Sequence, residues 1–172
     1  MMVRKIAVNV ARLVIAMTFI LSGFVKAVDP LGTQYKIVDY LKAMQLGTFV
    51  PDFLTLTASV LLSAVEFGLG ICMLFAIRRR LVSLLALCMM IPMTALTLWL
   101  AVANPVTDCG CFGDAVTLTN WQTFTKNVVL LGCVAIVRYR PLDMMRFVSK
   151  TNQWIVTNHS MLFIFAVSAW SL

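Results

Sequence analysis

Two cysteines one residue apart, Cys109 and Cys111, are the residues of this sequence best suited to chemistry. They lie in the stretch VTDCGCFGD, residues 106–114. A disulfide across one intervening residue closes a very small ring near the limit of disulfide geometry, and Gly110 and Gly113 relieve part of the backbone strain. Strained, exposed disulfides are oxidising and exchange readily. The pair is therefore suited to thiol–disulfide exchange.

Two other interpretations of the cysteine pair stay open. A cross-link over one residue removes almost no chain entropy, so a passive disulfide would stabilise the chain very little. Two thiols make a weak metal site unless histidines add to them, and the single histidine, His159, falls on the other side of the last predicted span. We favour exchange and expect no metal site, and a disulfide that only shapes its loop is the main alternative.

The elements that position this dithiol are predicted to be membrane helices. Hydrophobic residues make up 61% of the chain, charged residues 12%, and the mean hydropathy is +0.93. Soluble domains carry about 25% charged residues. Apolar runs of nearly the ~20 residues that span a bilayer recur along the chain. We predict an all-α integral membrane four-helix bundle, in a single domain over residues 1–172, in contact with lipid. Basic residues scattered at the ends of the apolar segments exclude nucleic-acid binding.

Four spans and a partial fifth segment are predicted. The spans cover residues 6–28, 53–77, 81–103 and 121–137. The additional C-terminal apolar segment, residues 160–172, is about two-thirds of a span, so it either lies at the interface or continues in a longer natural chain, and we favour continuation. Residues 33–46 have apolar side chains at helical spacing, which is typical of a helix on the membrane surface or of an ordered polar connector.

The orientation follows from the basic residues of the loops. Lysine and arginine are concentrated at residues 4–5, 78–80 and 138–150, three sites that alternate as a single topology requires. The loop of residues 104–120 carries two aspartates and no lysine or arginine. We therefore predict a cytoplasmic (inner) membrane protein with its N-terminus inside and the dithiol loop on the extracytoplasmic side, where disulfides persist.

Charged groups near the dithiol are expected to tune it. Thr119 begins a capping-box pattern, so the fourth helix would start just after the loop with the positive end of its dipole towards the thiols. Lys126 follows within two turns, and Lys26 ends the first span at the same outer level. These cations and the dipole would favour a thiolate, whereas Asp108 and Asp114 would oppose it.

Charges inside the spans are costly unless they are paired or reach water. Arg12 lies in the inner part of the first span and Glu66 near the middle of the second. Antiparallel neighbours would bring the two to nearby depths, so we predict an intramembrane Arg12–Glu66 ion pair. The alternative is an Arg12 that snorkels to the headgroups and a protonated Glu66. A polar interior with Glu66 and Lys126 could admit a quinone headgroup, but the sequence specifies no cofactor.

Taken together, several stretches resemble the DoxX and methylamine-utilisation MauE group of small redox-associated membrane proteins. They are Arg12, SGFVKAVDP at residues 22–30, AVEFGLG at 64–70, DCGCFGD at 108–114 and TKN at 125–127. The resemblance covers about residues 6–137 and ends before the basic stretch that follows. It implies a four-helix transmembrane bundle and a role in extracytoplasmic thiol or disulfide handling, in MauE's case for maturation of a disulfide-rich dehydrogenase subunit. The family's cysteine pair corresponds to Cys109 and Cys111, and its first-span lysine to Lys26.

The function predicted from the sequence is thiol–disulfide exchange on the extracytoplasmic side of the membrane. The expected partner is a thioredoxin-fold protein or a secreted disulfide protein. The competing class is a non-catalytic scaffold or assembly subunit whose cysteines only shape a docking loop. Equilibration of the pair in redox buffers separates the two, because a structural disulfide resists strong reductant.

Overall fold

The computed structural model describes residues 2–45, 50–104, 118–149 and 152–171, and these ranges contain helices and loops but no strand. The predicted all-α fold is therefore confirmed. The helices are α1 (Met2–Val28), α2 (Pro30–Ala43), α3 (Asp52–Leu74), α4 (Arg79–Ala103), α5 (Asn120–Tyr139) and α6 (Gln153–Trp170), with a short 3₁₀ turn at Pro141–Asp143.

Three of the helices in the described ranges, α1, α3 and α4, are long and apolar enough to cross a membrane. They correspond to the first three predicted spans. α3 ends at Leu74, earlier than predicted, because the chain turns there through left-handed conformations at Ala76 (φ 54°) and Arg78 (φ 39°). α4 continues through Pro92 to Ala103. Helix α5 covers the fourth predicted span, and its crossing of the membrane stays a prediction.

The three basic segments of the sequence meet at one end of the bundle, which we call the basic end (Arg4, Arg78–Arg80 and residues 140–147). Arg4 Nε lies 3.0 Å from Asp143 Oδ2. Arg79 Nη1 donates to the carbonyl oxygens of Leu142 (2.9 Å) and Met144 (2.8 Å). The opposite end, where α1 and α4 finish and α5 begins, is called the loop end because residues 105–117 connect two helices there.

Helix α2 follows α1 at the loop end. Asp29 caps it by accepting from Gly32 N at 2.8 Å, and Pro30 occupies its first turn, where a missing N–H costs nothing. Gln34 Nε2 donates to Asp52 O (3.0 Å) and to Thr55 Oγ1 (3.1 Å), which fixes α2 to the start of α3. The helix predicted between the first two spans is thus present, packed on α3.

The C-terminal apolar segment is part of a longer helix than predicted. α6 begins at Gln153 and packs mainly against α3 and α1. The Phe163 ring stacks on Phe24 with centroids 6.5 Å apart and tilts against Phe67 at 6.0 Å. Ile164 is fully buried in the same contact. The first half of α6 contains polar residues, so the apolar run in the sequence predicts only the second half of this helix.

Candidate functional site: a buried charge cluster

Two glycines bring the backbones of α1 and α3 into direct contact. A Cβ atom on Gly23 would lie 2.5 Å from Phe67 N and 2.8 Å from Ser63 O, and one on Gly70 would lie 2.8 Å from Ile20 N. Small residues permit this approach between membrane helices, where apolar burial alone does not hold helices together. The side chains of α1 that flank Gly23 therefore lie against α3.

Those side chains form a buried ion pair with α3. Lys26 Nζ lies 2.6 Å from Glu66 Oε2, and the two residues are 3% and 4% exposed. Ser22, one turn before Lys26, donates from Oγ to the same carboxylate oxygen at 2.7 Å and accepts from Lys26 Nζ at 2.7 Å. A buried charge needs a counter-ion and hydrogen bonds, and this arrangement provides both.

The ion pair lines a small cavity that α5 completes. Ser22, Lys26 and Glu66 line it together with Lys126 and Asn127, and its volume is about 30 Å³. Such a volume holds about one or two water molecules and is too small for a quinone ring. The structure thus brings three residues predicted from the sequence, Lys26, Glu66 and Lys126, to one cavity.

Asn127 fixes the α5 side of this cavity. Its Nδ2 donates to Thr97 Oγ1 of α4 at 3.2 Å, and both side chains are buried. Because Asn127 is next to Lys126 in α5, the hydrogen bond also fixes the helix face that carries Lys126. Ser22 and Asn127 belong to the SGFVKAVDP and TKN stretches, whose sequence alone does not assign them a role in the site. The spacing of Ser22 and Lys26, one helical turn apart, is the signal that could have assigned Ser22 to the site.

The predicted Arg12–Glu66 ion pair is wrong. Glu66 meets α1 at Ser22 and Lys26, and Arg12 precedes Ser22 by about 15 Å along the helix. Arg12 is 1% exposed and donates from Nη1 to Met145 O at 2.7 Å, with its guanidinium carbon 5.1 Å from the centre of the Phe147 ring. Arg12 therefore holds the segment after α5 against the basic end of the bundle.

Cys109, Cys111, Asp108 and Asp114 lie outside the described residues, but the residues on both sides of their loop are described. Asn120 Nδ2 donates to Asn104 Oδ1 at 2.9 Å, so the loop leaves and re-enters the bundle at one place. The predicted capping box of α5 is confirmed, with Gln122 N donating to Thr119 Oγ1 at 3.3 Å and Thr119 N to Gln122 Oε1 at 3.1 Å.

The remaining cysteines and the acidic residues give no sign of a metal site in the part of the chain that the structure describes. Cys72, Cys88 and Cys133 are free thiols. Cys72 is buried, with its Sγ 3.9 Å from Thr157 Oγ1 of α6. Their positions on α3, α4 and α5 are those of small side chains that pack between helices or face lipid.

Three apolar helices and an ion pair buried between two of them define an integral membrane protein. More narrowly, the chain belongs to the MauE family: the family model described as methylamine utilisation protein MauE matches residues 4–140. Comparison with curated proteins and with solved structures gives no match. The MauE part of the resemblance is thus confirmed, and the DoxX part stays a prediction. Met145, which accepts from Arg12, and all of α6 lie beyond the matched residues.

Proposed function

We propose that this protein exchanges thiols and disulfides on the extracytoplasmic side of the cytoplasmic membrane through Cys109 and Cys111. One observation carries the proposal: Lys26 and Lys126, which line one cavity with Glu66, lie in the half of α1 and of α5 nearer the loop end, from which the dithiol loop leaves. Reactive thiols need nearby cations, since the thiolate is the nucleophile. The loop is joined at Asn120, which precedes Lys126 by about 9 Å along α5.

The cluster also supplies a route for protons. Exchange converts a thiol into a thiolate and a leaving thiolate into a thiol, so protons move at both steps. Lys26 shares its proton-bearing Nζ with Glu66 and Ser22 beside a cavity with room for water. In this proposal the dithiol loop exchanges protons with water held in this cavity.

The exchange balances without an added oxidant. A thiolate of the pair attacks a disulfide of the partner, a mixed disulfide forms, and the partner's second sulfur leaves and takes up a proton. The other cysteine then attacks the mixed disulfide, which releases the partner with two thiols and leaves a Cys109–Cys111 disulfide. Two electrons pass from the chain to the partner, and the reverse sequence oxidises the partner. The proposed partner is a thioredoxin-fold or secreted disulfide protein, and the family description supports a connection with methylamine utilisation.

The first test concerns the side of the membrane. After mild reduction of intact cells, a membrane-impermeant maleimide should label Cys109 or Cys111, and it should leave Cys72, Cys88 and Cys133 unlabelled, because those three lie within the predicted membrane spans. A variant that lacks Cys109 and Cys111 is the matched control and should take up no label. Labelling that requires lysed cells would contradict the proposed orientation.

The second test captures the partner. We expect Cys111 to be the attacking sulfur, since it is nearer in the chain to the start of α5 and Lys126, and Cys109, beside Asp108, to be the resolving one. Cys109→Ser should therefore accumulate a reductant-sensitive covalent adduct with an extracytoplasmic protein, and Cys111→Ser much less. Non-reducing gels of acid-quenched cells, followed by identification of the adduct, measure this.

Three outcomes of the capture experiment are informative. Adducts in equal yield from both variants would contradict the assignment of attacking and resolving roles but support the exchange. Loss of both adducts when Lys26 is also changed to methionine, with an unchanged amount of folded protein in the membrane, would support the role of the charge cluster. If neither variant forms an adduct and both retain wild-type function in cells, the result would contradict thiol–disulfide exchange and favour the non-catalytic scaffold.

A further inference from the structure

Four arginines line a shallow, open cavity of about 420 Å³ at the basic end of the bundle. Three of them, Arg78–Arg80, stand at the start of α4, and Arg146 comes from the segment after α5. Within the described ranges, no carboxylate lies at ion-pair distance from any of the four. Asp143 lies close in the chain but pairs with Arg4 instead. The charge of this arginine cluster is therefore not neutralised by acidic side chains of the structure.

The start of α4 makes the arginine cluster still more electropositive. The positive end of a helix dipole disfavours cations, yet the first turn of α4 contains arginines and no acidic residue. Arg78 occupies the N-cap position and makes no side-chain capping hydrogen bond. Backbone N–H groups at a helix start bind anions, so a bound anion would relieve an arrangement that is otherwise unfavourable.

Arg78 stands at a turn position where glycine would be accommodated more easily. Its φ of 39° and ψ of 47° lie in the left-handed region, which glycine adopts easily and other residues adopt at a cost. Strain of this kind persists where function or surrounding structure requires it. An arginine in place of a glycine here keeps a cation at the corner between α3 and α4.

A mainly apolar groove adjoins the arginine cluster. It lies between α3, α4 and α6, has a volume of about 540 Å³, and includes Val65, Leu69 and Leu85 in its wall. Arg78 and Leu81 line both the groove and the arginine cavity, so the two spaces meet. The first half of α6 adds the polar groups of Gln153, Thr157 and Asn158. A ligand with an anionic head and an apolar chain matches this combination.

We propose that this site binds an anionic phospholipid from the bilayer leaflet that faces the basic end. The phosphate is held by Arg78, Arg80 and Arg146, and one acyl chain lies in the groove between α3, α4 and α6. Basic pockets between membrane helices take acidic headgroups in this way. A soluble phosphate would use the arginines but leave the apolar groove unfilled, and a zwitterionic lipid would fill the groove but leave the positive charge unbalanced.

The test compares lipids on the full chain, purified in mild detergent and stripped of bound lipid. Phosphatidylglycerol should bind, as measured by native mass spectrometry, and should raise the thermal midpoint, whereas phosphatidylcholine of the same chain length should do neither. Loss of one arginine should weaken phosphatidylglycerol binding about fivefold, and Arg78→Gln with Arg146→Gln about 25-fold. Arg79 is left intact because it holds Leu142 and Met144.

A matched variant controls for charge alone. Lys5→Gln with Arg138→Gln removes the same charge in residues that line neither cavity, and it should leave the affinity unchanged. Equal losses in the two double variants, or equal binding of the two lipids, would overturn the proposal.

Two further measurements separate lipid binding from simpler explanations. Glycerol phosphate alone should bind far more weakly than phosphatidylglycerol, and equal affinities would show a site for soluble anions and overturn the lipid assignment. Arg78→Gly keeps the left-handed turn and relieves its strain, so it should not lower the thermal midpoint without lipid, and it should still weaken lipid binding about fivefold. A lower midpoint with unchanged lipid affinity would assign Arg78 a purely structural role.

Discussion

Replacement of Glu66 by glutamine should lower the free energy of unfolding by about 3 kcal/mol, because it leaves the charge of Lys26 buried without its counter-ion. Lys26→Met should lower the free energy of unfolding by a similar amount, because it leaves the charge of Glu66 buried without its counter-ion. Unfolding by denaturing detergent, followed by circular dichroism of the purified protein, measures both changes. The loss should be accompanied by reduced adduct formation at the dithiol if the cluster serves the proposed exchange.

The double variant Lys26→Met with Glu66→Gln distinguishes an ion pair from two independent contributions. Removal of both partners of a buried pair leaves no uncompensated charge, so the double variant should recover much of the stability lost in either single variant. Arg12→Gln is the matched control, since Arg12 is buried in the same helix but bonded to Met145. The free energies of unfolding lost in Arg12→Gln and in Glu66→Gln should be additive within about 0.5 kcal/mol when the two changes are combined. Coupling of Glu66 to Arg12 rather than Lys26 would contradict the described geometry.

Alanine at position 23 should lower the free energy of unfolding by about 2 to 3 kcal/mol. The added Cβ would stand 2.5 Å from the backbone nitrogen of Phe67, and a backbone atom cannot move aside as a flexible side chain can. α1 and α3 would separate locally, which would also lengthen the contacts of Ser22 and Lys26 with Glu66. The same detergent unfolding experiment measures the loss.

Gly132→Ala is the matched control, because it makes the same substitution at a position where the added Cβ contacts no other atom. No atom lies within 4 Å of a Cβ built there, so Gly132→Ala should raise the free energy of unfolding by about 0.5 to 1 kcal/mol through higher helix propensity. Shifts of the same sign at positions 23 and 132 would mean that helix propensity, and not helix contact, governs Gly23.

The helices could be predicted from the sequence, because the length of an apolar run and the residues that cap a helix are local features of the chain. Three predicted spans coincide with the apolar helices α1, α3 and α4, and the capping box at Thr119 marks the start of α5. α6 was only half recognised, because its first half contains Gln153, Thr157 and Asn158, whose polarity resembles a loop. Those residues face a groove rather than lipid alone, and only the packing of α6 on α3 shows this.

The partners of the buried charged residues could not be predicted from the sequence, because they depend on the register between α1 and α3. Contact of Gly23 with Ser63 and Phe67, and of Gly70 with Ile20, fixes that register. It places Glu66 beside Lys26, whereas the sequence predicts Lys26 only as an outer cation near the thiols. The hydrogen-bond acceptor of Arg12 could not be predicted either, because it is a backbone carbonyl oxygen in an irregular segment, and no residue type indicates such an acceptor.

The Arg12–Met145 hydrogen bond links residues 133 positions apart, and this distance has a consequence for biosynthesis. Arg12 reaches the membrane as part of α1, long before residue 145 leaves the ribosome. In that interval its guanidinium must find water, lipid phosphate or another chain to satisfy it. Arg12 therefore gains its final hydrogen-bond acceptor only late in translation, when the segment after α5 arrives, so this contact of α1 is among the last to form.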